Sequence, residues 1–552
     1  MNVQERIQTW LDGPYDAKTK EELRRLLKED PQSLEEAFFK DLSFGTGGMR
    51  ALMGLGTNRL NIYTIRMATQ GLAHWIKKKG GEKPSVFIGY DVRNHSREFA
   101  ENAALVLSGN GILPLLSKEV CPAPLVSFAC RHFKCAAAIM ITASHNPPQY
   151  NGYKVYGADG CQVTFPADRQ IMEEVAKIKS PEQVILGNRF EEVGSEIDTF
   201  YFAALKNLQM VPEGASEHLK IIYTNLHGTG SRLMQNALKS WGFTHFHYVE
   251  KQRPLDGNFT CAPSPNPEEP KALELGTEQL MREKGDLLIA TDPDADRIGL
   301  VCPTLRFTGN QIACLCLNHI CKTLFAKNQL PPKPACIKSI VTTELFRKIG
   351  EFYGVKCFDV LTGFKYIGEK IGEWEKNPSD YHYLFGAEES YGYLFGTFVR
   401  DKDAISSACL IVEMASVAKK EGKTLPQVLD EIYKTHGVFR ERIANLTFAD
   451  TQEGMDQMRG LMQRLRKTPP QEIGGQRVKR MDDFAKGFEG LPPSDVLRFW
   501  CVDGNQWVIR PSGTEPKVKI YLEGVGQKGQ SPEEVDARLQ RQMASFTFTL
   551  TG

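Results

Sequence analysis

The sequence lacks any run of about 18 apolar residues, so we expect no membrane-spanning helix. We also expect no signal peptide, because the sequence begins with a charged amphipathic stretch. Charge of one sign does not dominate, since 68 Lys and Arg residues nearly balance 67 Asp and Glu residues. We therefore expect no nucleic-acid or membrane partner, and we expect a cytoplasmic location.

Paired metal-ligand spacings are missing among the 13 cysteines. An odd number of cysteines without a secretory signal is typical of reduced thiols in an intracellular protein. Cys314, Cys316, His319 and Cys321 lie close together, but they belong to an apolar run. We predict that this run is a buried helix rather than a metal site.

Short apolar segments alternate with longer helical segments over the whole chain, which indicates an α/β fold. A chain of 552 residues has room for about three to four domains. Polar stretches at 194–198, 302–309 and 437–444 are the predicted boundaries. They give four domains, at 1–196, 197–305, 306–438 and 439–552. Residues 1–40 are predicted to be helical and to pack on the first domain.

Apolar strands are predicted at 86–90, 136–141, 220–223, 286–290 and 382–385. In the last domain, two strands at 507–510 and 518–522 are predicted around a turn. Polar loops follow three of the apolar strands. Because ligands bind at the carboxyl ends of strands in open α/β sheets, these loops are the expected places for chemistry.

The loop after 136–141 contains Ser144, followed by His145 and two prolines. A serine is a weak nucleophile unless a base or a cation lies nearby, and His145 and Lys154 are candidates. An incidental serine in a turn is the alternative. The loop after 286–290 carries Asp292, Asp294 and Asp296 at alternate positions. These carboxylates favour a divalent cation such as Mg²⁺, and a solvated acidic turn is the alternative.

Two further loops have side chains suited to a phosphorylated sugar. Glu388 and Ser390 offer a carboxylate and a hydroxyl for sugar hydroxyl groups, although an exposed acidic loop would look the same. In 510–517, an Arg and a Lys flank a Ser-Gly-Thr core, which suits phosphate binding. The residues concerned are Arg510, Ser512, Gly513, Thr514 and Lys517.

Together, and in this order, the motifs resemble the α-D-phosphohexomutase superfamily, which contains phosphoglucomutases and phosphomannomutases. The matching segments are TASHNP at 142–147, DPDADR at 292–297, EES at 388–390 and RPSGTEPK at 510–517. One departure is Ala387, which lies inside the usual GEES-type spacing. The resemblance implies three α/β domains and a smaller C-terminal α+β domain around a central cleft.

The resemblance also implies roles for individual residues. Ser144 matches a phosphorylated serine, and its phosphoryl oxygen completes a Mg²⁺ site with Asp292, Asp294 and Asp296. Arg50, in the glycine-rich stretch 45–50, matches an arginine that faces the active site in the family. Lys154, His145 and Arg50 are the candidates for proton transfer. The implied substrate-binding residues are Arg297, Thr362, Lys365, Glu388, Ser390, Lys402, Arg510, Ser512, Gly513, Thr514 and Lys517.

The implied activity is interconversion of glucose 1-phosphate and glucose 6-phosphate through a phosphoserine and a glucose 1,6-bisphosphate intermediate. Mannose and pentose phosphates remain alternative substrates. A phosphatase, a sugar-bisphosphate synthase and a non-catalytic regulator that binds sugar phosphates are alternative functions. The sequence does not fix the oligomeric state, and a monomer is one option.

Overall fold

The computed structural model of the chain describes residues 2–42, 48–212, 218–377, 380–449, 451–512 and 516–551. The chain splits into two compact units. The first unit comprises Met1–Gly309, Phe364–Gly386 and Ser390–Gly422, and the second comprises Asn310–Gly363, Ala387–Glu389 and Lys423–Gly552. None of the helices in the described ranges is both long and apolar enough to span a membrane.

Helices α1 (Val3–Asp12), α2 (Ala17–Glu29) and α3 (Pro31–Phe38) precede the first strand. The side chains of Asn2 and Asp16 accept hydrogen bonds from backbone N–H groups in the first turns of α1 and α2, which fixes where these helices begin. Their apolar faces pack together and against Tyr63 of the next helix. The prediction that residues 1–40 are helical and pack on the first domain is therefore confirmed.

The first sheet is built from strands and helices that alternate along the chain. Its elements are β1 (Met49–Leu52), α4 (Ile62–Lys79), β2 (Ser85–Tyr90), α5 (Ser96–Gly109), β3 (Leu113–Ser117), α6 (Ala123–His132), β4 (Ala137–Ile141), β5 (Tyr150–Gly157), α7 (Ala167–Val175) and β6 (Glu191–Val193). The strand order is β1-β5-β4-β2-β3-β6. The last four of these are parallel, and β1 and β5 run antiparallel to their neighbours.

The second sheet, also in the first unit, has the order β11-β10-β9-β7-β8. Its elements are α8 (Glu196–Lys206), β7 (Ile221–Thr224), α9 (Met234–Ser240), β8 (Phe246–Tyr248), α10 (Pro270–Glu283), β9 (Leu287–Thr291), β10 (Ile298–Cys302) and β11 (Leu305–Arg306). Both β4 and β9 are inner strands of mixed sheets, each pairs in parallel with one neighbour, and both are buried along their whole length. The carboxyl end of β4 leads into the loop that contains Ser144, called the serine loop below. The carboxyl end of β9 leads into the loop that contains Asp292, Asp294 and Asp296, called the aspartate loop below.

The middle of the chain contributes to both units. Its elements are α11 (Gly309–Ala326), β12 (Pro334–Ser339), α12 (Glu344–Phe352), β13 (Lys356–Val360), α13 (Lys365–Lys376), β14 (His382–Glu388), β15 (Gly392–Phe395), α14 (Ala404–Lys420) and α15 (Leu425–His436). Within the second unit, β12 and β13 pair in parallel. The run with three cysteines and His319 is the buried helix α11, as predicted.

The C-terminal sheet lies in the second unit and is antiparallel, with the order β16-β21-β20-β19-β18-β17. Its elements are β16 (Phe439–Thr447), α16 (Gln452–Lys467), β17 (Glu472–Ile473), β18 (Gln476–Asp483), β19 (Leu497–Cys501), β20 (Gln506–Pro511), β21 (Lys517–Val525) and α17 (Pro532–Thr551). The polar stretch 437–444, predicted as a boundary, is largely strand β16. It is polar because most of this edge strand is accessible to solvent.

A carboxyl cluster lies on two neighbouring strands of this sheet. Glu441 of β16 and Glu523 of β21 are directly opposite each other in the antiparallel register. The backbone N–H of Glu344 donates a 2.7 Å hydrogen bond to Oε2 of Glu523. Burial, followed by the charges of Glu441 and Glu344, raises the pKa of Glu523 to about 8. Glu523 is therefore mostly protonated at neutral pH.

Replacing Glu523 by Gln should raise the melting temperature by a few degrees near pH 8 and leave it unchanged near pH 4. The pKa of Glu523 is higher in the folded chain than in an unfolded one, so the folded state loses stability as pH rises from about 4 to about 8. An amide avoids this loss. Thermal melts across this range would check it, with exposed Glu472→Gln as the control. A lower melting temperature of the Glu523 variant at pH 8 would contradict the assignment.

Candidate active site

Ser144 lies in the loop between β4 and β5, and its side chain is buried. Its hydroxyl donates a 2.6 Å hydrogen bond to Oδ2 of Asp292. Nδ1 of His145 lies 3.2 Å from the same hydroxyl oxygen. The structure therefore brings the loops after β4 and β9 together, as the resemblance implied.

The aspartate loop forms a tight group of carboxylates. Asp292, Asp294 and Asp296 are buried, and each offers an oxygen within 4.8 Å of the others. Oδ1 of Asp292 accepts hydrogen bonds from the backbone N–H groups of Asp296 and Arg297, at 3.0 and 2.9 Å. A Cβ at Gly228 would lie 2.4 Å from Cα of the loop proline, so the neighbouring segment approaches too closely for any other residue.

Two lysines neutralise part of this negative charge. Lys154 Nζ lies 2.8 Å from Asp294 Oδ2 and 3.2 Å from Asp296 Oδ2, and Lys402 Nζ lies 3.0 Å from Asp296 Oδ2. Burial alone would raise the pKa of Asp296, but Lys402 and Lys154 lower it overall. Burial opposes the charge on Lys154, yet Asp294 and Asp296 raise the pKa of its ammonium above the ordinary value. Burial raises the pKa of Asp292 well above its usual range.

The same carboxylates fit a hard divalent cation. Oδ1 of Asp294 and Oδ1 of Asp296 are buried and accept no hydrogen bond, although buried carboxylate oxygens almost always have a partner. Mg²⁺ prefers such oxygen ligands and shares its coordination with phosphate groups. The three aspartates are the group in the described part of the chain whose spacing suits a metal ion. The residues present therefore fit the Mg²⁺ expected from the sequence.

Lys402 is held by its neighbour Asp401, which sequence analysis did not single out. Asp401 Oδ1 accepts bonds from the backbone N–H of Lys402 at 2.8 Å and from its Nζ at 3.1 Å. Asp401 Oδ2 accepts bonds from the Tyr156 hydroxyl at 2.8 Å and the Gln162 amide at 2.7 Å. Lys154 and Tyr156 lie two residues apart on β5, so their side chains are on the same face of this strand. From this face, Lys154 contacts the aspartates and Tyr156 bonds to the Asp401 carboxylate that holds Lys402.

Other predicted residues of the first unit surround this centre. Arg50, on β1, donates a 3.4 Å hydrogen bond to Oδ1 of Asn146 in the serine loop. Arg297 forms an ion pair with Glu268 at 2.5 Å. Burial, followed by the charges of Arg297 and Arg50, lowers the pKa of His145 well below its ordinary value.

Lys365 and Ser390 also belong to the first unit. Lys365 begins α13, is nearly buried and lies 3.5 Å from Asp168. Ser390 is half-buried and directly follows Glu389. These positions connect neither residue to a reacting atom, so their substrate contacts remain predictions.

The loop predicted to bind the sugar, which contains Glu388 and Ser390 and is called the sugar loop below, begins inside a strand. Strand β14 extends to Glu388 rather than ending at residue 385. Ala387 is fully buried at this point. In the second unit, Oε1 of Glu388 accepts a 2.7 Å hydrogen bond from the backbone N–H of Gly363, next to half-buried Thr362. The segment around Thr362 and the sugar loop are thereby joined.

The predicted phosphate loop joins β20 to β21 in the second unit. Arg510 lies on β20 and Lys517 begins β21. The backbone N–H of Ser512 donates a 2.7 Å bond to the carbonyl of Lys517, which closes the turn. Gly513 and Thr514 lie outside the described residues, as do residues 45–47 of the glycine-rich stretch.

Comparison with known proteins decides the family. A phosphoglucomutase of Staphylococcus haemolyticus is 37% identical over 512 residues, which cover 88% of this chain and 91% of that protein. A Staphylococcus aureus phosphoglucomutase is 36% identical over 513 residues, covering 88% and 90%. The chain belongs to the phosphoglucomutase/phosphomannomutase family.

All four domain descriptions of the phosphoglucomutase/phosphomannomutase family match the chain. Alpha/beta/alpha domains I, II and III match residues 41–182, 199–305 and 308–436, and the C-terminal domain matches residues 445–539. The predicted fold class, three α/β domains and a different C-terminal domain, is confirmed. The chain is thus a phosphohexomutase, which is an isomerase of carbohydrate metabolism.

Solved structures of this family share the fold. Parafusin, a phosphoglucomutase of Paramecium, in its open form superposes with a TM-score of 0.71 at 18% identity, covering 92% of this chain and 95% of that one. A phosphoglucomutase/phosphomannomutase family protein of Burkholderia thailandensis gives 0.65 at 17% identity, covering 92% and 97%. At these identities the likeness establishes the fold of the phosphohexomutase and not its sugar.

Proposed function

We propose that this phosphohexomutase is a phosphoglucomutase in which Ser144 carries the transferred phosphoryl group. The observation that supports this most is the 2.6 Å hydrogen bond from the Ser144 hydroxyl to Asp292, inside the buried group of three aspartates and two lysines. An incidental turn serine would have no reason to lie among buried charges, because burying them is costly.

Asp292, Asp294 and Asp296 would hold Mg²⁺, together with an oxygen of the Ser144 phosphoryl group. When bound, Mg²⁺ supplies positive charge that stabilises the phosphoryl group during transfer. Lys154 and Lys402 add ammonium charge at Asp294 and Asp296, on the same side of the site. Their charge is fixed in place before the substrate arrives, so no reorganisation is needed during transfer.

In the proposed reaction, the substrate's own phosphate binds the Arg510–Lys517 loop through Arg510, Ser512 and Lys517. Glu388 and Ser390 bind sugar hydroxyl groups. Ser144 Oγ releases its phosphoryl group to the free hydroxyl of the sugar, which gives a bisphosphate. The bisphosphate then turns, and its other phosphoryl group returns to Ser144. Thr362, Lys365, Lys402 and Arg297 are the remaining proposed contacts.

Two proton transfers accompany the cycle, because one sugar hydroxyl loses its proton when it accepts the phosphoryl group, and the other sugar oxygen gains a proton when its phosphoryl group returns to Ser144. His145, Lys154 and Arg50 remain the candidates. His145 Nδ1 lies 3.2 Å from Ser144 Oγ, and Lys154 Nζ lies on the metal carboxylates. Arg50 reaches Asn146 of the same loop. We place the enzyme in the cytoplasm, since all 13 of its cysteines are free thiols.

Turnover of glucose 1-phosphate should exceed that of mannose 1-phosphate and ribose 1-phosphate by at least about tenfold in kcat/KM, because one misplaced hydroxyl leaves a buried polar group without a partner. A coupled assay with each sugar, primed with glucose 1,6-bisphosphate, measures this.

Mass spectrometry of the primed enzyme should locate one phosphoryl group on the peptide that contains Ser144.

Other outcomes separate the alternatives. Faster turnover of mannose or ribose phosphate would contradict the sugar assignment and keep the phosphoserine. Release of free phosphate at the rate of turnover would indicate a phosphatase. Net formation of bisphosphate from an outside phosphoryl donor would indicate a sugar-bisphosphate synthase.

A further inference from the structure

A single buried arginine holds the backbone of the serine loop. The Arg93 guanidinium has no accessible surface. Its Nη2 donates hydrogen bonds to the carbonyl oxygens of Ser144 and Asn146, at 2.6 and 2.5 Å. Its Nη1 donates to the carbonyls of Pro147 and Tyr150, at 2.8 and 2.9 Å. One cation therefore binds four carbonyl groups of the loop.

Asp91, which lies two residues before Arg93, also contacts the same loop. Oδ2 of Asp91 accepts a 2.6 Å hydrogen bond from the Thr142 hydroxyl. The same hydroxyl oxygen accepts a 2.8 Å bond from the backbone N–H of Ser144. Asp91 Oδ2 also lies 3.2 Å from Nε of Arg93. Asp91 and Arg93 thus fix both the N–H and the carbonyl of Ser144.

Ser144 needs such support because its backbone is in the left-handed region, with φ of 52°. A residue with a side chain rarely adopts this conformation, and it persists only where surrounding contacts over-determine it. The conformation coincides with a Ser144 hydroxyl directed at Asp292. Phe259 lies in the segment between β8 and α10, and the centroid of its ring is 4.9 Å from the guanidinium carbon of Arg93.

We propose that Asp91 and Arg93 are positioning residues for phosphoryl transfer, which hold Ser144 in its left-handed conformation with Oγ aimed at the aspartates. The proposal rests on the proposed role of Ser144 as phosphoryl carrier. Neither residue touches the reacting atoms, because Asp91 acts through Thr142 and Arg93 acts through the loop backbone. Arginine is required because its planar fork presents several N–H groups at once, whereas lysine is a point charge.

Arg93→Lys should lower kcat about a hundredfold and change KM less than about threefold, because a small displacement of the nucleophile slows transfer without removing substrate contacts. Phosphorylation of Ser144 by glucose 1,6-bisphosphate should slow by a similar factor, as followed by mass spectrometry of quenched samples. Binding of Mn²⁺ as a metal probe should stay within about threefold of the wild type.

Arg232→Lys is the matched control. Arg232 is also nearly buried, pairs with Asp198 at 2.8 Å and donates to the carbonyl of Val120 at 3.1 Å. It should lose comparable thermal stability while kcat stays within about twofold of the wild type. The proposal is overturned if both variants lose kcat in the same proportion to their fall in melting temperature, or if the Arg93 variant changes KM alone.

Thr142 provides a second test should Arg93→Lys fail to fold. Thr142→Val keeps the shape of the side chain but removes the hydroxyl, which joins Asp91 to Ser144 and also lies 3.3 Å from Oδ2 of Asp294. Its Mn²⁺ affinity should therefore be measured as well and should stay within about threefold of the wild type. The variant should lower kcat about tenfold, and Thr142→Ser should restore most of it. A valine variant with wild-type kcat overturns the proposal. Ser144→Ala tests the proposed function separately. If Ser144 does not carry the phosphoryl group, that variant would still turn over substrate.

Discussion

Replacing Ser144 by alanine should lower mutase turnover by at least about 10⁴-fold. The alanine has no oxygen to carry the phosphoryl group, and the neighbouring His145 cannot use the same position beside Asp292. Coupled assays with glucose 1-phosphate measure the loss, and mass spectrometry should find no phosphoryl group on the loop peptide. Melting temperature should change little, because one small hydroxyl is removed.

Ser117→Ala is the control for this prediction. Ser117 is also buried, ends a strand of the same sheet and donates its hydroxyl to a backbone carbonyl, at 2.8 Å. Its loss should leave turnover within about twofold of the wild type. An alanine at position 144 that keeps more than about a hundredth of wild-type turnover would refute the phosphoserine assignment.

Asp294→Asn should weaken divalent metal binding at least about a hundredfold and lower kcat about 10³-fold. The buried Oδ1 of Asp294 has no hydrogen-bond partner, so it is available as a ligand, and the amide removes one negative charge. Manganese titrations followed by electron paramagnetic resonance measure the affinity without any turnover. Treating the wild-type enzyme with a chelator should give a comparable loss of activity, reversed by added Mg²⁺.

Asp482→Asn serves as the control for the metal prediction. Asp482 is a buried carboxylate too, bonded to Arg498 and to Nε1 of Trp500, both at 2.9 Å. The variant should lose stability but bind Mn²⁺ as the wild type does. Unchanged Mn²⁺ affinity in the Asp294 variant would mean that the aspartates are not the metal site.

The places of Ser144 and Asp292 could be predicted from sequence, because both follow strands of continuous apolar residues and the carboxyl ends of such strands carry ligand-binding loops. That the two loops meet could not be predicted from the strands, since β4 and β9 belong to different sheets, and was implied only by the resemblance of the motifs to the family. The motif order added the rest of the predicted site. The buried helix around Cys314 was also predictable, since its apolar run is long and its spacing matches no metal site.

The roles of Asp91 and Arg93 could not be predicted in the same way. Arg93 donates four hydrogen bonds to backbone carbonyls that lie more than fifty positions further along the chain. Every residue has such a carbonyl. A sequence letter therefore gives no signal for this contact. Similarly, the resemblance implied that Lys402 contacts substrate, but not that its ammonium group lies 3.0 Å from Asp296.

The three helices before the first strand cover part of helix α4. The family match starts at residue 41, yet the Trp10 ring lies 5.7 Å from Tyr63, with their planes nearly perpendicular. The Tyr63 hydroxyl also bonds to Asp16. A fragment cut at the family boundary would expose the face of α4 that these residues cover. Removal of the three N-terminal helices should therefore lower the stability of the first domain, although they lie ahead of the segment that matches alpha/beta/alpha domain I.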